Sequence, residues 1–112
     1  MTTIAPPKPD VTTFPAVAVE ACLLAELIEI AKAEASVRGF ALPGNFAQVV
    51  KTPIQMDSLS VVSTLCAVEP VLGFELRESI VQTGGYQSIE AALQHLMPKI
   101  MQAWNRKKGQ KP

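Results

Sequence analysis

Apolar residues recur at intervals of three and four in three stretches of the chain, and each stretch predicts a helix. In the first, Pro15 to Arg38, a stripe runs through Leu24, Leu27, Ile28, Ala31 and Ala35. Glu26, Glu29 and Lys32 fall on the more polar side, where Glu29 and Lys32 can pair. Pro15 suits the start of this helix and Gly39 its stop. The second helix opens at Asp57 or Ser58, since either side chain can accept from the free N–H groups of a first turn. Leu65, Val68 and Leu72 point it inward, with Leu59 and Val61 near that stripe. Pro70 predicts a kink or an early end before Gly73. The third opens at Ser88 and carries Ile89, Ala92, Leu93, Leu96, Ile100 and Trp104 on one face. Pro98 predicts a bend there, and the basic end suits the negative pole of the helix dipole.

Between these stretches the periodicity fails. Residues 40–56 hold Pro43, Gly44, Asn45 and Pro53, which predicts a long loop or a short hidden helix. Phe40, Leu42, Phe46, Val49 and Val50 are expected to pin it to the core. Residues 74–85 read as a connector with room for one helical turn, closed by the turn signal Gly84-Gly85. The expected organisation is a flexible N-terminal extension over 1–14, a helical bundle over 15–105 and a basic tail over 106–112. The fold class is all-α: a small bundle of three main helices plus a short one, with a long loop between the first two.

Composition narrows the chemistry. The chain has 112 residues, enough for one domain, with 48% apolar and only 5% aromatic residues. Ten basic and ten acidic residues cancel, so no global field favours nucleic acid. Glutamates interrupt the apolar stretch from Phe14 to Ile30, so no membrane span is expected. Cys22 and Cys66 stand in apolar segments, at spacings that suit neither a disulfide scaffold nor a metal set. A reduced, cytoplasmic, monomeric protein is the expectation. The single His95 has no ligand-spaced partner, so no metal is expected.

The remaining chemistry lies at "MDSLSVV". A long helix, a long loop, Asp57-Ser58-Leu59 opening a second helix, a short segment and a last helix together resemble the acyl carrier protein family. After Ser58, apolar residues fall at Leu59, Val62, Leu65, Val68 and Leu72 in the rhythm of that family's second helix. "LGFELRESI" is similar to its connector, and "YQSIEAALQHL" to its closing helix. The resemblance implies 4′-phosphopantetheine held covalently on Ser58, with Asp57 and Leu59 beside it. It also implies a non-enzymatic carrier of acyl thioesters. Its partners would be a phosphopantetheinyl transferase and acyl-loading and acyl-using enzymes, docking on Leu59, Val62, Cys66 and Glu69. The likeness covers residues 57–97 well and the first helix loosely.

Departures are visible. Gln55 stands where the family usually places glycine, Ile54 where it places leucine, and Arg77 where it favours proline. Ser60, Ser63 and Pro70 replace acidic positions, leaving Glu69 alone. These changes imply a specialised lipid or secondary-metabolite pathway with dedicated partner enzymes. The residues also admit plainer readings. Ser58 can be a helix cap only, Cys66 a half-buried apolar residue, His95 a boundary residue and the basic end a frayed tail. A hydrolase built from Asp57, Ser58 and His95 fails, because adjacent Asp57 and Ser58 cannot span an imidazole. The alternative function is a carrier-like bundle without the arm, working as a protein–protein interaction module through Val62 and Cys66.

Overall fold

The structure, a computed structural model, describes residues 14–109. The expected N-terminal extension therefore lies outside the described residues, Phe14 excepted. Four α-helices and one short 3₁₀ turn follow in order: α1 Ala16–Arg38, α2 Phe46–Lys51, α3 Ser58–Leu72, the turn Glu78–Ile80, and α4 Ile89–Gly109. The chain is thus a small all-α bundle in which α1 packs against both α3 and α4. The short helix hidden in the 40–56 loop is α2, capped by Asn45, whose side chain accepts from the Gln48 N–H at 3.2 Å.

The buried face of α1 keeps Leu27, Ala31 and Ala35 of the predicted stripe and takes Val19 and Leu23 in place of Leu24 and Ile28. Val19, Leu23, Leu27, Ala31 and Ala35 are buried at strict four-residue spacing, while Leu24 and Ile28 only flank the core. Both rows occupy one side of the helix, and α3 and α4 select the first. On α3 the inward set is Val61, Thr64, Leu65, Val68 and Leu72. The Thr64 hydroxyl is satisfied within the helix by the Val61 carbonyl at 2.7 Å, which makes its burial tolerable. Leu59, expected near the stripe, is instead 82% exposed. It stands two positions from Val61, about 200° around a helix. Phe40 and Phe46 also depart from expectation. They are exposed, whereas Val49, one turn past Phe46 in this six-residue helix, is buried and Leu42 and Val50 pack against the core as expected.

The two prolines interrupt neither helix: α3 continues through Pro70 to Leu72, and α4 through Pro98. Pro70 lies within the last turn of α3, so the bond it cannot donate to the Cys66 carbonyl is lost only two residues before the helix ends at Leu72. Pro98 sits on the exposed side of α4, opposite Leu96 and Ile100 in the core. Because α4 runs to Gly109, Arg106 and Lys107 belong to a helix and not to a tail. At that end Trp104 is buried, with Phe14 edge-on at 5.9 Å and Phe74 at 6.3 Å between ring centroids. The beginning of the described chain and the end of α3 are thereby held to α4.

One feature has no helical origin. Met56 and Tyr86 form an isolated antiparallel bridge, each N–H donating to the other's carbonyl at 2.9 Å. The Ile54 N–H adds a bond to the Gln87 carbonyl at 2.8 Å, and Gln55 Nε2 donates to the Gly84 carbonyl at 2.9 Å. This clasp ties the entrance of α3 to the entrance of α4. Gly85 makes it possible: its φ is +82°, and a Cβ there would lie 1.9 Å from the Met56 carbonyl oxygen. We predict that Gly85→Ala lowers unfolding free energy in urea by about 3 kcal/mol or more, from strain and steric clash together. Gly44→Ala, at a position with open space around it, is the control and changes stability by about 0.5 kcal/mol at most.

Candidate functional site

The first turn of α3 resolves which residue caps it. Asp57 is extended, and its carboxylate Oδ1 accepts from the Ser60 N–H at 2.8 Å, while its carbonyl accepts from the Val61 N–H at 3.2 Å. Asp57 is therefore the cap, and Ser58 is the first helical residue. The half-buried Ser58 side chain makes no hydrogen bond among the described residues. Its hydroxyl is thus not consumed in holding the helix. The N–H groups of Ser58 and Leu59 precede the first intrahelical bond, so they stand at the positive pole of α3. An oxygen esterified to phosphate suits that position.

The clasp fixes this turn in space. A Cβ on Gly85 would come within 2.9 Å of the Asp57 Cα, so Asp57 lies directly against the turn before α4. Residues 82–85 form that turn, closed by the Gly85 N–H on the Gln82 carbonyl at 3.0 Å, with the positive φ of Gly84 as in a type II turn. Next to it, the buried Tyr86 hydroxyl accepts from the Gln82 N–H at 2.9 Å and pairs with His95 Nδ1 at 2.7 Å. Burial pushes the Tyr86 phenol above its usual value, with the Gln82 N–H acting against that. His95 is thereby a half-buried member of the clasp, and no hydrogen bond joins it to Ser58 among the described residues.

Beside Ser58, α3 carries an outward apolar row, with exposed Asp57 and Ser63 next to it. Leu59 and Cys66 are exposed and Val62 is half-buried, at spacings of three and four that align them along the outer face of α3. This row spans about 10 Å at the rise of an α-helix. Cys66, expected to be half-buried, is exposed because it lies opposite Val68 in the helix. Cys22 is the partly buried thiol. Its Sγ contacts the Ala67 carbonyl at 3.3 Å, and burial followed by the Glu26 charge raises its pKa. Glu69 continues the row but is half-buried, and its carboxylate accepts from the Leu76 N–H at 2.9 Å. It ties the end of α3 to the connector, so one of its oxygens is already engaged within the chain.

The structure therefore brings Asp57, Ser58, Leu59, Val62 and Cys66 onto one end and one face of α3. Glu69 stands further along, with a structural bond. Gly85, Tyr86 and Gln82 were not legible as partners of this site. The only sequence signal was the turn dipeptide Gly84-Gly85 followed by the chain's single tyrosine. Among the described residues, no cluster of three or more His, Cys, Asp or Glu side chains can hold a metal ion. No helix among them is long and apolar enough to cross a membrane. Comparison with models of protein families, with curated proteins and with solved structures gives no match for this chain.

Two outcomes follow from this geometry. Asp57→Ala costs about 1 kcal/mol of stability and Asp57→Asn much less, as read by urea denaturation, because only the first removes the cap. The second concerns Tyr86. The folded protein holds its phenolic proton more tightly than the unfolded chain does. The stability from this group is therefore complete below about pH 10 and declines as the pH rises beyond that. Ultraviolet absorbance of the chain's only tyrosine should show ionisation at higher pH in the native state than in denaturant.

Proposed function

We propose that the chain is an acyl carrier protein, holding acyl groups as thioesters on 4′-phosphopantetheine joined to Ser58 through a phosphodiester. The observation that carries the reading is the division of labour at the α3 N-terminus. Asp57 caps the helix, leaving the Ser58 hydroxyl without a hydrogen-bond partner among the described residues, at the positive pole of α3. Had Ser58 been the cap, its oxygen would be committed to structure. When attached, the arm supplies a terminal thiol. The chain's own contribution is to present the serine oxygen and to favour a phosphate beside the Ser58 and Leu59 N–H groups.

Leu59, Val62 and Cys66 support a docking role for the outer face of α3, because they offer apolar area beside the serine. In this reading a phosphopantetheinyl transferase and then acyl-loading and acyl-using enzymes contact that face. The face lacks the run of carboxylates that would attract broadly basic partners, and the Glu69 carboxylate is bonded to the connector. Recognition therefore rests on shape and apolar contact, which fits dedicated enzymes of one specialised pathway in the cytoplasm.

A second reading keeps the face and discards the arm: a bundle that binds a partner through Leu59, Val62 and Cys66 alone. The exposure of Leu59 favours it, since such a side chain serves docking whether or not its neighbour is modified. Intact mass separates the two. After co-expression with a broad-specificity phosphopantetheinyl transferase, the carrier reading predicts an increase by one phosphopantetheine. It predicts no increase for Ser58→Ala, whose helical circular dichroism is retained because the Asp57 cap is intact. An unmodified wild type, or a modified alanine variant, rejects Ser58 as the attachment point.

A further inference from the structure

At the end of the bundle away from Ser58, a groove of about 710 Å³ opens between the connector after α3 and the last turns of α4. Phe74, Leu76, Ile80 and Ala103 give it an apolar floor, and Leu76 is buried. Arg77, Lys99, Arg106 and Lys107 line it, against a single acid, Glu75. None of these four cations forms an ion pair among the described residues; the ion pairs present, Glu29–Lys32 and Glu34–Arg38, lie on α1. Lys107 Nζ lies over the Phe74 ring, 5.9 Å from its centroid, so it stands at the groove wall. In a chain with equal numbers of acidic and basic residues, this is a local concentration of unpaired positive charge.

We propose that this groove binds a short acidic segment of a partner protein, with carboxylates against Arg77, Lys99 and Arg106 and one apolar side chain on the Phe74–Ile80 floor. Charge complementarity selects an acidic occupant, and arginine is suited to hold carboxylates in paired hydrogen bonds. The shape selects a peptide. Lys99 to Lys107 spans about 12 Å of helix, which about four residues of extended chain can follow. A bilayer is flat on this scale and cannot descend to a floor walled by the connector on one side and α4 on the other. The distance from Ser58 matters too. The clasp sets Met56 against Tyr86, beside the start of α4, whereas the groove begins about 15 Å further along α4 and extends to about 27 Å. A segment bound there leaves the Ser58 end uncovered, so the two ends can engage partners together. The proposal does not depend on modification of Ser58.

The test uses the full chain, immobilised and offered a displayed library of random dodecapeptides. Enriched peptides should combine Asp or Glu with Leu or Phe. A labelled synthetic copy of the commonest should bind the wild type and lose about tenfold or more in affinity to Arg77→Glu/Arg106→Glu. Both arginines are exposed, so circular dichroism of the double variant should match the wild type. Reversal of Lys51, exposed on α2, should leave binding unchanged, and so should Ser58→Ala. Peptides without acidic enrichment, or equal binding by the double variant, would overturn the proposal. Binding to phosphatidylserine vesicles with no peptide enrichment would overturn it in favour of a lipid surface.

Discussion

The fold depends most on the pair of backbone hydrogen bonds between Met56 and Tyr86. Helices α3 and α4 each begin a few residues beyond that pair, so it fixes where both start. A single pair of strand-like bonds is weak by itself. It persists because Met56, Ile54 and Tyr86 are buried beside it and because Gly85 lets two backbones approach closely. The side chains of Gln55 and Gln82 then take up the carbonyls of Gly84 and Gly85. Local chain geometry, burial and hydrogen bonding all point to the same arrangement, which is what a well-specified structure requires.

Through this clasp the core and the candidate site become one problem. Asp57 follows Met56 directly, so the cap of α3 is set by the bridge, and Ser58 is set by the cap. The next residues divide by helical phase. Val61, Thr64, Leu65 and Val68 go to α1 and the core, while Leu59, Val62 and Cys66 are left outward. Apolar residues that the core leaves exposed, Leu59 and Cys66, or covers only in part, Val62, therefore collect beside the serine. At the opposite end, Trp104 gathers Phe14 and Phe74, and the basic residues of α4 surround the groove. The two ends differ in chemistry: one presents the Asp57 cap beside an apolar row, the other a cluster of cations.

Much of this was legible in the residues. The three main helices follow from their apolar periods, and the caps at Ser88 and Gly39 from their residue types, with the Ala91 N–H bonded to Ser88 Oγ at 3.0 Å. The Glu29–Lys32 pair was expected from spacing and is present at 3.3 Å. Periodicity places Leu27, Ala31 and Ala35 inward but cannot choose between Leu23 and its neighbour Leu24, because both are apolar and only the packing partners decide. It misplaced Phe40 and Phe46 because hydrophobicity alone does not say which apolar side chains a short helix can deliver to a core. The clasp was invisible for another reason. One bridge between segments thirty residues apart leaves no repeating pattern, only a glycine pair and a tyrosine. At the candidate site, sequence could name Asp57 and Ser58 but could not assign the cap between them; hydrogen-bond geometry does.

We propose that Ser58, freed from capping by Asp57, is where this protein is modified. The most direct measurement is fragmentation mass spectrometry of peptides from protein co-expressed with a phosphopantetheinyl transferase, read residue by residue. A carrier bears the phosphopantetheine on Ser58 and on no other serine. The same group on Ser60, Ser63 or Ser88, or its absence from every peptide, would contradict it.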